Sequence, residues 1–158
     1  MAEPLADRVV EKIGQAAGLY YRLVLLVAPA GAGKTAVLQE VHLRTRAPIV
    51  NVNLELSRRM LDLTERQRAL QIPGLLAEIV GASAADVVLL DNIEVLFDIS
   101  LKQDPLRLLQ GLSRNKTVVA AWSGAIDREH LVYAMPDHPE YKRYPLRDFL
   151  VVNPEAVA

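Results

Sequence analysis

The sequence predicts an α/β fold in which a parallel sheet is held between two layers of helices. Three observations predict it. Short apolar runs of strand length occur at 23–27, 87–90 and 117–122. Stretches with helical apolar spacing separate them. The runs end on small or polar residues (Ala28 to Gly33, Asp91, Ser123), at the strand ends where open α/β sheets bind ligands.

Composition narrows the class. A chain of 158 residues, 51% of them hydrophobic, is expected to form one domain over 1–158 with a full core. The net charge of −1 and the pI near 6.3 call for neither nucleic acid nor an acidic membrane as partner. Without cysteine there is no disulfide framework and no thiolate metal site. Met1 to Asp7 lacks the basic flank and apolar core of a signal peptide. The apolar runs are too short to cross a bilayer, so a cytoplasmic protein without membrane contact is expected.

Taken in order, residues 3–17 (Glu3 to Ala17) read as an amphipathic helix, with Leu5, Val9, Ile13 and Ala16 on one face and Gly18 as its stop. Tyr20 and Tyr21 lead into the first strand, where they either pack or lie against an adenine ring. The strand 23–27 runs into Ala-Pro-Ala-Gly-Ala-Gly-Lys-Thr and then a helix over 33–44. His42 has no second histidine near it in sequence and reads as structural.

Strand, small-residue loop and helix together spell a P-loop, G-x-x-x-x-G-K-[ST], with Ala28 in place of the first glycine. Ala is tolerated there if its φ is negative. A triphosphate has to be wrapped closely by backbone N–H groups, and side chains would block that approach. Pro29, Ala30, Gly31, Ala32, Gly33, Lys34, Thr35 and Ala36 are therefore the expected ATP-contacting stretch. Lys34 would reach the β- and γ-phosphates, and the Thr35 hydroxyl would take one Mg²⁺ position.

Alternation in Pro48 to Leu54 predicts a second strand over 49–53. Its Asn51 and Asn53 either face the ligand crevice or cap the next helix. Residues 56–70 read as one charged helix carrying Arg58, Arg59, Arg66 and Arg68. No aromatic platform accompanies these charges, so direct nucleic-acid binding is not favoured. Pro73 and Gly74 are expected to interrupt the pattern before a short helix over 75–80.

The run Val87 to Leu90 delivers Asp91, as in a Walker B motif, where Asp91 would hold the Mg²⁺ complex. Asn92 stands where many P-loop ATPases of the additional-strand (AAA+) class carry a general base, and an amide cannot take a proton at neutral pH. Glu94 is either that base or a helix N-terminal acid. After a helix over 105–112, the strand 117–122 delivers Ser123, which reads as a γ-phosphate sensor or as an ordinary Ser-Gly turn. Residues 131–134 suggest a short strand, 135–144 an ordered loop, and 149–152 the last strand. Arg143 or Arg147 is either an arginine finger for a neighbour's γ-phosphate or solvated charge.

The full expectation is a three-layer P-loop NTPase core with five parallel strands in the order 5-1-4-3-2, AAA+-like, with no separate lid domain after the last strand. Beyond these motifs the chain resembles the BrxF family, small P-loop proteins of type-III BREX bacteriophage-defence systems. The likeness rests on Gly18 to Val27, Asn53 to Arg59, Leu63 to Leu70, Val87 to Glu94 and Leu101 to Asn115, and covers nearly the whole chain. It implies a bacterial or archaeal protein working with other defence proteins, among them a methyltransferase, a phosphatase-like component and a helicase. Two functions fit these readings: a slow ATP-hydrolysing switch or assembly factor, acting as a homo-oligomer or within a hetero-assembly, and a nucleotide-binding scaffold with negligible hydrolysis that docks other defence proteins.

Overall fold

A computed structural model describes residues 4–154. Among these residues there are seven strands: β1 (Leu23–Ala28), β2 (Ile49–Asn51), β3 (Val87–Asp91), β4 (Thr117–Asp127), β5 (His130–Tyr133), β6 (Lys142–Pro145) and β7 (Leu150–Val152). The helices are α1 (Leu5–Ala16), α2 (Lys34–Thr45), α3 (Val52–Met60), α4 (Glu65–Gly81) and α5 (Pro105–Leu112).

The main sheet runs in the order β2-β3-β4-β1-β7, all neighbours parallel. The expected parallel strands lie side by side in the sequence expected, with the strand over 149–152 at the edge, but the expected count of five and the numbering 5-1-4-3-2 need correction. Seven strands form, the last parallel strand is the seventh, and β5 and β6 lie off the main path. The cause is the length of β4. Its first half pairs with β1 and β3, and its second half, Gly124 to Asp127, continues beyond the sheet and pairs antiparallel with β5. β6 then pairs antiparallel with β5, so part of the expected loop 135–144 is strand.

Strand alternation builds the three layers. On β1, Leu23, Leu25 and Val27 join the core under α3, α4 and α5, while Val24 and Leu26 join the core under α1 and α2. β4 divides in the same way, with Val118, Ala120 and Trp122 on the first face and Val119 and Ala121 on the second. All six residues of β1 are buried. Each fully buried Leu or Val side chain contributes about 1.5–3 kcal/mol, so this strand anchors both cores.

Three further expectations are corrected. Strand β2 stops at Asn51, because its side chain accepts a hydrogen bond from the Leu54 N–H at 3.0 Å and starts α3. The helix expected over 56–70 is two helices, since Thr64 and Gln67 form a reciprocal capping box that opens α4. Pro73 does not interrupt α4 but lies inside it. Proline lacks the N–H that would bond the Ala69 carbonyl four residues earlier. The Gln103 side-chain amide donates to that oxygen instead, at 2.7 Å. The Lys116 ammonium closes the other end of α4 by donating to the carbonyls of Val80 (3.1 Å) and Ser83 (2.7 Å). Glu3, the first residue of the expected N-terminal helix, lies outside the described residues. No helix among the described residues is long and apolar enough to cross a membrane.

Candidate functional site

The carboxyl ends of β1, β3 and β4 open into a cleft of about 880 Å³, with the β5–β6 hairpin as its far wall. That volume lies within the roughly 300–1,000 Å³ of small-molecule sites.

The loop leaving β1 forms one end. Gly31 (φ 80°) and Gly33 (φ 90°) occupy the left-handed region, which is why glycine stands at both positions. Ala28 has no positive φ, so alanine fits there without strain. Within the loop the Ala32 N–H donates to the Pro29 carbonyl at 3.2 Å. Gly33 caps α2 with no side-chain hydrogen bond, so the first-turn amides of α2 have no intrahelical partner. Pro29, Ala30, Gly31, Gly33, Lys34 and Thr35 line the cleft, whereas Ala32 and Ala36 do not.

Lys34 is buried, and its ammonium donates to the carbonyls of Ala28 (3.0 Å) and Pro29 (2.9 Å). Burial pushes its pKa below the ordinary lysine value, while the charges of Glu94 and Asp91 oppose the shift. The two acids therefore act on the same ammonium. Across the cleft the Thr35 hydroxyl donates to Asp91 Oδ2 at 2.7 Å. Asp91 Oδ1 accepts from the Asn92 N–H at 2.9 Å. Thus the start of α2 is tied to the end of β3.

Asn92 adopts a left-handed conformation (φ 55°, ψ 50°), a region asparagine tolerates better than most residues. This turn starts a 3-10 segment, Ile93–Phe97, and its first turn carries Glu94 toward β4. The Ser123 hydroxyl donates to Glu94 Oε2 at 2.5 Å. The two residues are thus each other's partners, in addition to the end-of-strand and end-of-helix places the sequence suggests.

Other candidates stand apart. Arg143 is exposed on β6, with its guanidinium 3.1 Å from His130 Nδ1, and it does not line the cleft. Arg147 is exposed beyond that strand and does not line it either. Tyr20 and Tyr21 precede β1 at the opposite end of the sheet, where the Arg114 guanidinium lies 5.0 Å from the Tyr20 ring. Asn51 caps α3, and Asn53 lies on that helix outside the cleft. Arg58 and Arg59 pair with Glu55 on their own helix, at 3.5 and 2.7 Å.

Sequence reasoning missed the hairpin wall: Val132, Tyr133, Ala134, Met135, His138 and Glu140. The alternating His-Leu-Val-Tyr of 130–133 was the available signal, but its partner strand contains Pro145 and carries little apolar pattern. Gly124 marks the same place. A Cβ there would lie 2.0 Å from the Val132 carbonyl oxygen, so only glycine allows β5 to approach β4 this closely.

Comparison with models of known protein families gives no match, and comparison with curated proteins gives none either.

Proposed function

We propose that the chain is a P-loop protein that binds ATP with Mg²⁺, hydrolyses it slowly, and serves as a switch or assembly factor in a BREX-type phage-defence system. The Thr35–Asp91 contact carries the nucleotide reading: it sets a hydroxyl and a carboxylate 2.7 Å apart beside a buried lysine and two left-handed glycines. One hydroxyl and one carboxylate are hard oxygen donors of the kind Mg²⁺ uses together with phosphate oxygens and water. Bound there, the ion would supply charge neutralisation for the phosphates. The defence-system role rests on the sequence resemblance described above.

In this reading the amides at the start of α2 wrap the phosphates. The Lys34 ammonium exchanges the Ala28 and Pro29 carbonyls for phosphate oxygens. Ser123 and Glu94 stand at the terminal-phosphate side, where the Glu94 carboxylate accepts the proton of an attacking water while Ser123 holds it in place. Asn92 orients that water but takes no proton, which keeps turnover slow. Among the described residues Lys34 is the only lysine or arginine lining the cleft. Further positive charge at the terminal phosphate would come from a second copy or another partner, and Arg143, outside its own cleft, would act only in that way.

A second reading, a nucleotide-gated scaffold without turnover, is favoured by Asn92 occupying the position after Asp91. One experiment separates the readings: Mg²⁺-dependent ATP binding and turnover over a protein-concentration series, beside Lys34→Ala. Binding and turnover lost in Lys34→Ala support the ATPase. Tight binding without turnover at any concentration supports the scaffold. No ATP binding by the unaltered protein refutes both.

A further inference from the structure

Strand β5 walls the same cleft that Lys34, Glu94 and Ser123 line, with Val132 and Tyr133 among its lining residues. Tyr133 stands there, only 9% exposed. Its ring stacks on Phe97 with centroids 3.5 Å apart and planes 9° apart, and meets Trp122 edge-on at 6.2 Å. These contacts fix the ring, yet its hydroxyl has no hydrogen-bond partner among the described residues. Among the described residues no sealed-off polar side-chain atom lacks a partner, so this hydroxyl is not sealed off, and Tyr133 lines the cleft. The Ser123 hydroxyl is already committed to Glu94. Tyr133 is thus the buried hydroxyl donor left free on this side. Burial, and after it the charges of Glu140 and Glu94, push its pKa up to about 12, which keeps the proton on the oxygen at neutral pH.

We propose that the Tyr133 hydroxyl, on the β5 wall of the cleft, donates a hydrogen bond to the terminal phosphoryl group of the bound triphosphate. The inference rests on the nucleotide reading above and adds a residue outside its motifs. A diphosphate, ending at the loop, leaves the hydroxyl without a partner. Tyr133 therefore distinguishes the two nucleotides. It belongs to the hairpin and touches the residues after Asp91 through Phe97, so the difference reaches the β5–β6 surface. Trp122 is the only tryptophan of the chain. It contacts Phe97, Tyr133 and Tyr144, and its indole N–H donates to the Val132 carbonyl at 3.1 Å. Its emission reports on the surroundings of Tyr133 directly.

The test is calorimetric titration of the full chain with Mg²⁺ and either adenylyl-imidodiphosphate or ADP, with Trp122 emission followed in parallel, on the unaltered protein and Tyr133→Phe. A hydrogen bond to a charged oxygen predicts a loss of triphosphate affinity of about tenfold or more in Tyr133→Phe. ADP affinity and melting temperature stay unchanged, and the emission difference between the two nucleotides disappears. Unchanged triphosphate affinity overturns the inference and leaves the nucleotide reading standing. An equal loss for both nucleotides with a lowered melting temperature also overturns it, because the hydroxyl then has a structural role. Failure of the unaltered protein to bind either nucleotide removes the nucleotide reading and this contact with it.

Discussion

Replacing Gly124 by Ala tests how the hairpin wall is held. The added Cβ would sit 2.0 Å from the Val132 oxygen, 2.9 Å from the Trp122 indole nitrogen and 3.0 Å from its Cδ1. Real contacts of this kind stay above 3.0 Å, so the carbonyl has to retreat by about 1 Å. That oxygen accepts the indole N–H at 3.1 Å, and the retreat breaks the bond. Losing it costs about 0.5–1.5 kcal/mol. Loosening the Phe97–Tyr133 stack, which depends on β5 staying in register, costs about 0.5–1.5 kcal/mol more. Removing glycine freedom from the unfolded chain returns about 0.4–1 kcal/mol. The net expectation is destabilisation of about 1–2 kcal/mol, a fall in Tm of roughly 2–8 °C for a chain of this size, together with altered Trp122 emission. Urea unfolding followed by far-UV circular dichroism and by fluorescence measures both. Gly111→Ala is the control, because a Cβ there meets nothing within 4 Å on the surface of α5. It should stabilise, since Ala exceeds Gly by about 1 kcal/mol inside a helix. A Gly124→Ala protein as stable as the original, with unchanged emission, would refute the close approach of β5 to β4.

Two more predictions follow from particular contacts. Gln103→Ala removes the donor to the Ala69 and Leu101 carbonyls and should lower the urea unfolding free energy by about 1–2 kcal/mol, the cost of leaving half-buried carbonyls unpaired. The phenols of Tyr133 and Tyr144 are both pushed above the ordinary value of 10, chiefly by burial, Tyr133 to about 12. A raised folded-state pKa gives a contribution fully present below pH 10 and lost as pH rises toward 12. Stability should hold level up to the lower value and decline above it. Tyr144→Phe, which also removes the bond to Asp104 Oδ1 at 2.9 Å, should make that decline shallower, as read from urea midpoints across the alkaline range.

The parts legible in the sequence are those where one physical demand dominates. The buried strands show as uninterrupted apolar runs, since both faces are covered, and Asp91 and Ser123 follow directly from where those runs stop. The loop with Gly31 and Gly33 shows because left-handed backbone leaves a glycine signature. The missed parts depend on contacts distant in sequence. Pro73 reads as a breaker because its compensating donor, Gln103, is remote. Asn51 reads as strand by alternation, and its capping bond ended the strand early. The hairpin was hidden because Lys142–Pro145 pairs through its backbone and carries no apolar alternation. Arg143 reads from its place in the chain order as a finger for a neighbour's γ-phosphate or as solvated charge, and the structure adds its pairing with Val132 and its contact with His130, outside its own cleft.

One strand, β4, serves two masters: its first half is locked between β1 and β3, and its second half carries the hairpin. Side chains along a strand face alternate ways, so a single-residue insertion or deletion between Trp122 and Ala125 would turn one half over relative to the other. Either Ser123 would face away from Glu94, or Tyr133 would leave the cleft. A two-residue change would keep the facing but carry the hairpin about 6.5–7 Å along the strand axis. The chain can thus vary in length through the turn at 135–141 while β4 acts as a ruler of fixed count. The distance from the loop of Gly31 and Gly33 to the hairpin is set by how many residues that strand contains.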